Sequence, residues 1–83
     1  MRNNITALNH PTMQRKLRNA IWFAKMEAKQ NGHGREYIEN RSGDAVMRVD
    51  VFADGSLRVW GDQSRNITQM VVDSIEANKY ANR

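Results

Sequence analysis

The chain has 83 residues, no cysteine and a formal net charge of +4. This length supports one hydrophobic core, so we expect a single domain over residues 1–83, with an N-terminal arm at 1–10 and a frayed tail at 80–83. The missing cysteines exclude a disulfide framework and a thiolate zinc site, so stability must come from packing or from a partner, and homodimerisation stays open.

The first predicted element is a long helix from Pro11 to Asn31. Proline suits the first helical turn, and Gly32 stands where a left-handed C-cap belongs. One apolar stripe recurs at three- and four-residue spacing and should pack on the rest of the domain; its members are Met13, Leu17, Ala20, Ile21, Ala24 and Ala28. We expect Gly32-His33-Gly34 to break the helix and to leave His33 in a flexible loop.

The segment from Arg35 to Asn40 is predicted to form a short strand with Tyr37 or Ile38 turned inward. If this strand does not form, the order of elements is α-β-β-α. A turn is expected at residues 41–44, where the sequence reads Arg-Ser-Gly-Asp.

A β-hairpin is predicted between the runs 45–52 and 56–61, because both are rich in β-formers and flank Asp54-Gly55. A two-residue turn would mix aliphatic and charged side chains on both faces. A three-residue turn over 53–55, with Gly55 as the left-handed residue, separates them. That register pairs Val51 with Leu57 and Val49 with Val59. It also sets Asp50 opposite Arg58 as an ion pair and Arg48 opposite Trp60 as a cation–π pair.

The final helix is predicted to begin after a cap at Ser64 or Asn66, with Gln69 completing a capping box. Its inward stripe comprises Ile67, Met70, Val71, Ser74 and Ile75.

The fold class is therefore α+β, a small single domain in the order α-β-β-β-α or α-β-β-α. The expected shared core is formed by Leu17, Ile21, Val49, Val51, Leu57, Val59, Val71 and Ile75.

The order α-β-β-β-α is similar to that of the double-stranded-RNA-binding domain. That family has a lysine-rich start to its last helix, whereas residues 64–69 here contain one base, Arg65. We therefore carry no residue roles over from that family.

The positive charge is concentrated near the N-terminus. Residues 1–35 carry seven bases and one acid, a balance of +6, while residues 36–83 carry six bases and eight acids, a balance of −2.

Within the first helix, five side chains fall in an arc of about 80° opposite the apolar stripe; they are Arg15, Arg18, Trp22, Lys25 and Lys29. Such a row matches backbone phosphates, and its tryptophan offers a face for base stacking. The alternatives are a solvated helix face, with Trp22 packed against residues 1–9, or a helix–helix interface that uses Trp22 and Met26.

A second candidate surface is the outward face of the hairpin, where Arg48, Arg58 and Trp60 should stand together. Basic and aromatic sheet faces bind single-stranded RNA, because unstacked bases lie on the aromatic rings while arginine holds phosphate. The alternative is that Trp60 simply packs with Arg48 or under a terminal segment.

The sequence does not predict an enzyme or a cofactor. His10 and His33 are the two histidines, and no carboxylates stand at metal-ligand spacing beside them. His33 could act as an acid or base in RNA cleavage, but a loop histidine without a catalytic role is the more common case.

We therefore expect a small basic protein that binds nucleic acid, RNA rather than DNA, in the cytoplasm. The longest apolar run, Ala20 to Ala24, is far below the roughly 20 residues that cross a bilayer, so no membrane is expected. The rival hypothesis is a non-enzymatic inhibitor or antitoxin-like accessory protein, of the kind that phages and mobile elements encode, whose partner presents an acidic or RNA-binding surface.

Overall fold

The computed structural model describes residues 10–81, so most of the predicted N-terminal arm and residues 82 and 83 lie outside the described part. The class is α+β in the order α-β-β-β-α, as predicted. The elements are α1 (Pro11–Asn31), β1 (His33–Glu39), β2 (Ala45–Phe52), β3 (Leu57–Trp60), a short 3-10 turn (Asp62–Ser64) and α2 (Thr68–Ala81).

Helix α1 has the predicted ends. The His10 side chain accepts a hydrogen bond from the backbone N–H of Thr12 at 3.2 Å, and Pro11 occupies the first turn. Gly32 ends the helix at φ +85°, and its N–H donates to the carbonyl of Ala28 at 2.8 Å. A glycine adopts this left-handed conformation without the steric cost that a side chain adds.

The three strands form an antiparallel sheet in the order β1-β2-β3. The predicted hairpin register is confirmed: Val49 lies opposite Val59, and Val51 lies opposite Leu57. Gly55 has φ +89°, as the three-residue turn requires. This register places the aliphatic side chains of both strands on one face.

The prediction that His33 lies in a flexible loop was wrong, because β1 begins at His33, directly after the helix cap. The reason is the close approach of β1 to α1 at Gly34. A Cβ atom built on Gly34 would lie 1.8 Å from the carbonyl oxygen of Ala24. Gly34 is thus a contact position at which the strand crosses the helix, and no side chain fits there.

The core lies on one face of the sheet, between the strands and the two helices. Of the eight predicted core residues, five are fully enclosed and Ile21, Leu57 and Ile75 pack against them half-buried. Ile38 also points inward and is buried, while Tyr37 points outward and is exposed. The buried core comprises Leu17, Ala20, Ala24, Ile38, Met47, Val49, Val51, Val59, Ile67 and Val71.

Helix α2 begins beside Asn66, whose side-chain oxygen accepts from the N–H of Thr68 at 3.1 Å. The predicted capping box is wrong, because Gln69 Nε2 donates instead to Asp73 Oδ1 at 2.9 Å. The predicted frayed tail at 80–83 overlaps the helix, which continues to Ala81. Within residues 10–81, no helix combines the length and apolar character that crossing a membrane requires.

Both edges of the sheet are partly covered by the chain itself. At β3, the N–H of Ile67 donates to the carbonyl of Val59 at 2.8 Å. At β1, Glu27 of α1 accepts from the N–H of Arg35 at 2.9 Å, and Lys16 donates to the carbonyl of Glu39 at 3.0 Å. These bonds occupy backbone groups that would otherwise pair with another strand.

Candidate nucleic-acid interface

The sheet face opposite the core forms a grid of basic and aromatic side chains. Because side chains alternate along a strand, the positions that alternate with the buried aliphatic residues point to this face. The register arranges the side chains in three transverse rows. The rows are His33 with Phe52; Arg35 with Asp50 and Arg58; and Tyr37 with Arg48 and Trp60. We call these eight residues the open sheet face.

Asp50 stands at the centre of the open sheet face and is only 2% exposed. Its Oδ1 accepts from Arg35 Nε at 2.8 Å, and its Oδ2 accepts from Arg48 Nε at 3.0 Å and from Trp60 Nε1 at 3.1 Å. Burial acts to raise the pKa of Asp50, but the Arg35 hydrogen bond and the charge of Arg48 outweigh it and lower the pKa. Asp50 therefore remains an anion that fixes three side chains around it.

The predicted ion pair between Asp50 and Arg58 is wrong, although the register that suggested it is correct. Asp50 forms its ion pairs with Arg35 and Arg48 instead. Arg35 comes from β1, on the other side of β2, and it reaches the carboxylate directly across that strand pair. Arg58 makes no ion pair with any residue in the described range 10–81, so its guanidinium faces solvent.

Aromatic rings form the two outer rows of the open sheet face. In one row, Tyr37 is 57% exposed and the Arg48 guanidinium lies 5.5 Å from the Trp60 ring centre, which confirms the predicted cation–π pair. A shallow depression of about 210 Å³ lies between Tyr37 and Trp60. Its lining also includes Arg48 and Asp62.

In the opposite row, the His33 and Phe52 rings lie 5.4 Å apart with an interplanar angle of 31°. His33 Nε2 is 3.3 Å from Asp50 Oδ1. The face thus carries three arginines against one buried carboxylate, a formal balance of +2 with His33 neutral. This combination of fixed cations and exposed rings can hold phosphate and stack bases.

The predicted stripe on α1 is exposed along its whole length, as the helical wheel requires; its residues are Arg15, Arg18, Trp22, Lys25 and Lys29. We call these five residues the α1 stripe. Trp22 is 58% exposed, and its ring contacts Phe23 edge-on with 5.0 Å between the ring centres. Within the described residues, none of the four stripe cations forms an ion pair. Residues 1–9, which the alternative places over Trp22, lie outside the described range.

The structure groups the eight predicted site residues into two separate surfaces. Arg48, Arg58 and Trp60 lie together on the open sheet face, while the α1 stripe lies on the helix layer and points away from the sheet. Sequence reasoning did not assign the other five residues of the open sheet face, which are His33, Arg35, Tyr37, Asp50 and Phe52. The alternation of His33, Arg35 and Tyr37 at a spacing of two was the available signal for three of them.

Among residues 10–81, no group of three histidine, aspartate or glutamate side chains could hold a metal ion. Comparisons with protein-family models, with curated proteins and with solved structures found no match to this chain.

Proposed function

We propose that this domain binds single-stranded RNA on its open sheet face, as a non-enzymatic protein acting in the cytoplasm. The observation that carries the proposal is the buried carboxylate of Asp50. It holds Arg35, Arg48 and Trp60 in fixed positions on a sheet face that no described helix covers.

The order of the rows suits a polynucleotide. Adjacent rows are two residues apart along each strand, which corresponds to roughly 7 Å. Bases would stack on the row of Tyr37 and Trp60 and on the row of His33 and Phe52. The linking phosphate would then lie at Arg35 and Arg58, in the row between them.

Preorganisation supports binding by this face. An arginine loses side-chain freedom when it holds a ligand, at a cost of up to about 0.5–1.5 kcal/mol per ordered side chain. Arg35 and Arg48 are already held by Asp50 through Nε. A guanidinium has five N–H donors, so both residues keep Nη donors for phosphate or base edges.

A single strand fits this face better than a duplex. Stacking requires bases that are unpaired and splayed out, which single-stranded RNA provides and a helical duplex does not. Proteins that bind double-stranded RNA recognise mostly its shape, its 2′-hydroxyls and its phosphates. RNA is favoured over DNA because Arg and Tyr side chains can also hydrogen-bond the 2′-hydroxyl.

The test is a fluorescence-anisotropy titration with labelled single-stranded RNA of mixed sequence at several salt concentrations. Tyr37→Ala removes an exposed ring and should weaken binding about 5- to 150-fold, since stacking is worth ~1–3 kcal/mol per base. Arg58→Ala should reduce the magnitude of the salt slope by about 0.7–1. Arg41→Ala is the matched control, because it removes an exposed cation from the β1–β2 turn, outside the three rows.

Equal affinity of wild type, Tyr37→Ala and Arg58→Ala would overturn the proposal. If wild type itself binds no RNA, the inhibitor or antitoxin-like hypothesis takes its place. A pull-down from cells, divided into nuclease-treated and untreated halves, would then identify a protein partner that persists without RNA.

A further inference from the structure

The open sheet face and the α1 stripe are two basic surfaces on different layers of one small domain. The side chains of the open sheet face point away from the helices, because the intervening strand positions Met47, Val49 and Val51 are buried beneath α1 and α2. The α1 stripe points away from the sheet, because Leu17, Ala20 and Ala24 occupy the inward side of the helix. A path between the surfaces must pass over the sheet edge and around a helix about 10–12 Å wide.

Each surface has the cations and the exposed aromatic ring that a nucleic-acid site needs. The α1 stripe spans about 21 Å of helix from Arg15 to Lys29, since each residue adds ~1.5 Å. Its four cations have no ion-pair partner among the described residues, and Trp22 offers an exposed ring in their midst. A second copy of the chain is a poor occupant, because two such stripes in contact would bring eight cations together.

We infer that the domain binds two single strands at once, one on each surface, and so bridges separate RNA segments. This inference rests on the proposed function, because the open sheet face supplies one of the two sites. It adds an activity that a one-site protein lacks: it brings two strands into proximity and raises the local concentration of each for the other.

The experiment uses short single-stranded RNAs of about four nucleotides, the lower end of the ~4–16 that small single-strand-binding domains cover, so that one strand fills one surface. A biotinylated RNA is fixed to beads, and retention of a second, fluorescent and non-complementary RNA is measured with and without the protein. Native mass spectrometry counts the RNAs bound to each protomer. Wild type should retain the second RNA and should bind two strands per protomer.

Two variants separate the surfaces. Arg18→Ala with Lys25→Ala and Trp22→Ala disables the α1 stripe, while Tyr37→Ala with Arg58→Ala disables the open sheet face. Each should still bind one strand per protomer, and each should reduce retention of the second RNA to the protein-free background. Sedimentation of the same samples shows whether the protein is monomeric, because a dimer with one site per chain would also retain two strands.

The inference is overturned by one strand per protomer at saturation, or by an α1-stripe variant that retains the second RNA as wild type does. One strand bound in a manner that depends on Tyr37 and Arg58 would leave the proposed function intact and refute bridging alone. The α1 stripe would then serve another partner, such as an acidic protein surface. Binding that is indifferent to the sheet-face variant would instead refute the proposed function.

Discussion

Trp60 Nε1 donates a hydrogen bond of 3.1 Å to Asp50 Oδ2, from a position diagonal to it on the neighbouring strand. The direct cross-strand partner of Trp60 is Arg48, which bonds the same carboxylate oxygen. The carboxylate thus fixes the ring and the cation that lies beside it. If this arrangement serves binding, removing one negative charge should weaken the affinity for a polyanion, although simple electrostatics predicts the opposite.

Asp50→Asn tests that distinction. We expect it to lower RNA affinity, because asparagine keeps one acceptor oxygen and replaces the other with an NH₂ donor, so that it cannot accept from Arg35, Arg48 and Trp60 in the same way. We also expect it to destabilise the fold by roughly 1–3 kcal/mol. Glu76→Gln, at an exposed position on α2, is the control for the same change in net charge and should leave affinity unchanged or slightly higher. Both are measured by anisotropy at a temperature where thermal melts show both variants folded. Tighter binding by Asp50→Asn would show that charge alone decides affinity.

Gly34→Ala should be among the most damaging single substitutions in the chain. The added methyl group would overlap the Ala24 carbonyl, which is backbone and cannot rotate away. We expect a loss of more than about 3 kcal/mol in the free energy of unfolding, measured by urea denaturation. Gly43→Ala is the comparison: its Cβ would meet open space, so only its φ of +87° costs stability, by about 1–2 kcal/mol. Equal losses would mean that β1 can move away from α1.

Leu17→Ala should destabilise the domain by about 2–4 kcal/mol, because Leu17 is fully enclosed between α1 and the sheet. Met26→Ala, an exposed position on the same helix, should change stability by less than about 0.5 kcal/mol. Denaturant midpoints of the two variants give the comparison. A small effect of Leu17→Ala would contradict the position of the core.

Two carboxyl groups meet where α1 crosses β1, and they give stability a pH dependence. The hydrogen bond with Glu27 raises the pKa of Glu36 to about 6, and partial burial adds to the rise. The hydrogen bond with Glu36 lowers the pKa of Glu27, helped by the N–H of Arg35. A raised pKa in the folded state means that the protonated form of Glu36 is the one that stabilises the fold.

The contribution of Glu36 is therefore complete below its ordinary value of 4.5 and is lost as pH rises through about 6. Its size is at most about 2 kcal/mol, at ~1.36 kcal/mol per pH unit, and solvent screening reduces it. Glu36→Gln keeps the hydrogen-bond donor and should flatten the stability profile across this window. Urea denaturation of wild type and variant between these pH values measures the difference, and parallel profiles would exclude the pair as its source.

The hairpin register could be predicted because it alone separates aliphatic from charged side chains. Val49 opposite Val59 follows from that segregation and from the left-handed residue at Gly55. Both helices followed from periodicity and from the residues at their ends, although Gln69 does not complete the predicted capping box of α2. These features depend on neighbours that are close in sequence.

The partner of Asp50 could not be predicted, because Arg35 approaches it from β1, a strand that the order α-β-β-α lacks. A hairpin considered alone offers Arg58 as the opposite charge, and only the third strand brings in Arg35. For the same reason, most residues of the open sheet face could not be assigned from the sequence. His33 was placed in a loop because Gly-His-Gly resembles a chain break, whereas Gly34 is required for contact with the helix.

The two tryptophans distinguish RNA on the open sheet face from RNA on the α1 stripe, because one tryptophan stands on each surface. Trp22→Phe leaves Trp60 as the sole tryptophan emitter. Near physiological salt, about 0.15 M, single-stranded RNA should quench Trp60 emission saturably. Binding by anisotropy with Trp60 emission unchanged, or no binding at micromolar protein, would show that RNA does not bind the open sheet face.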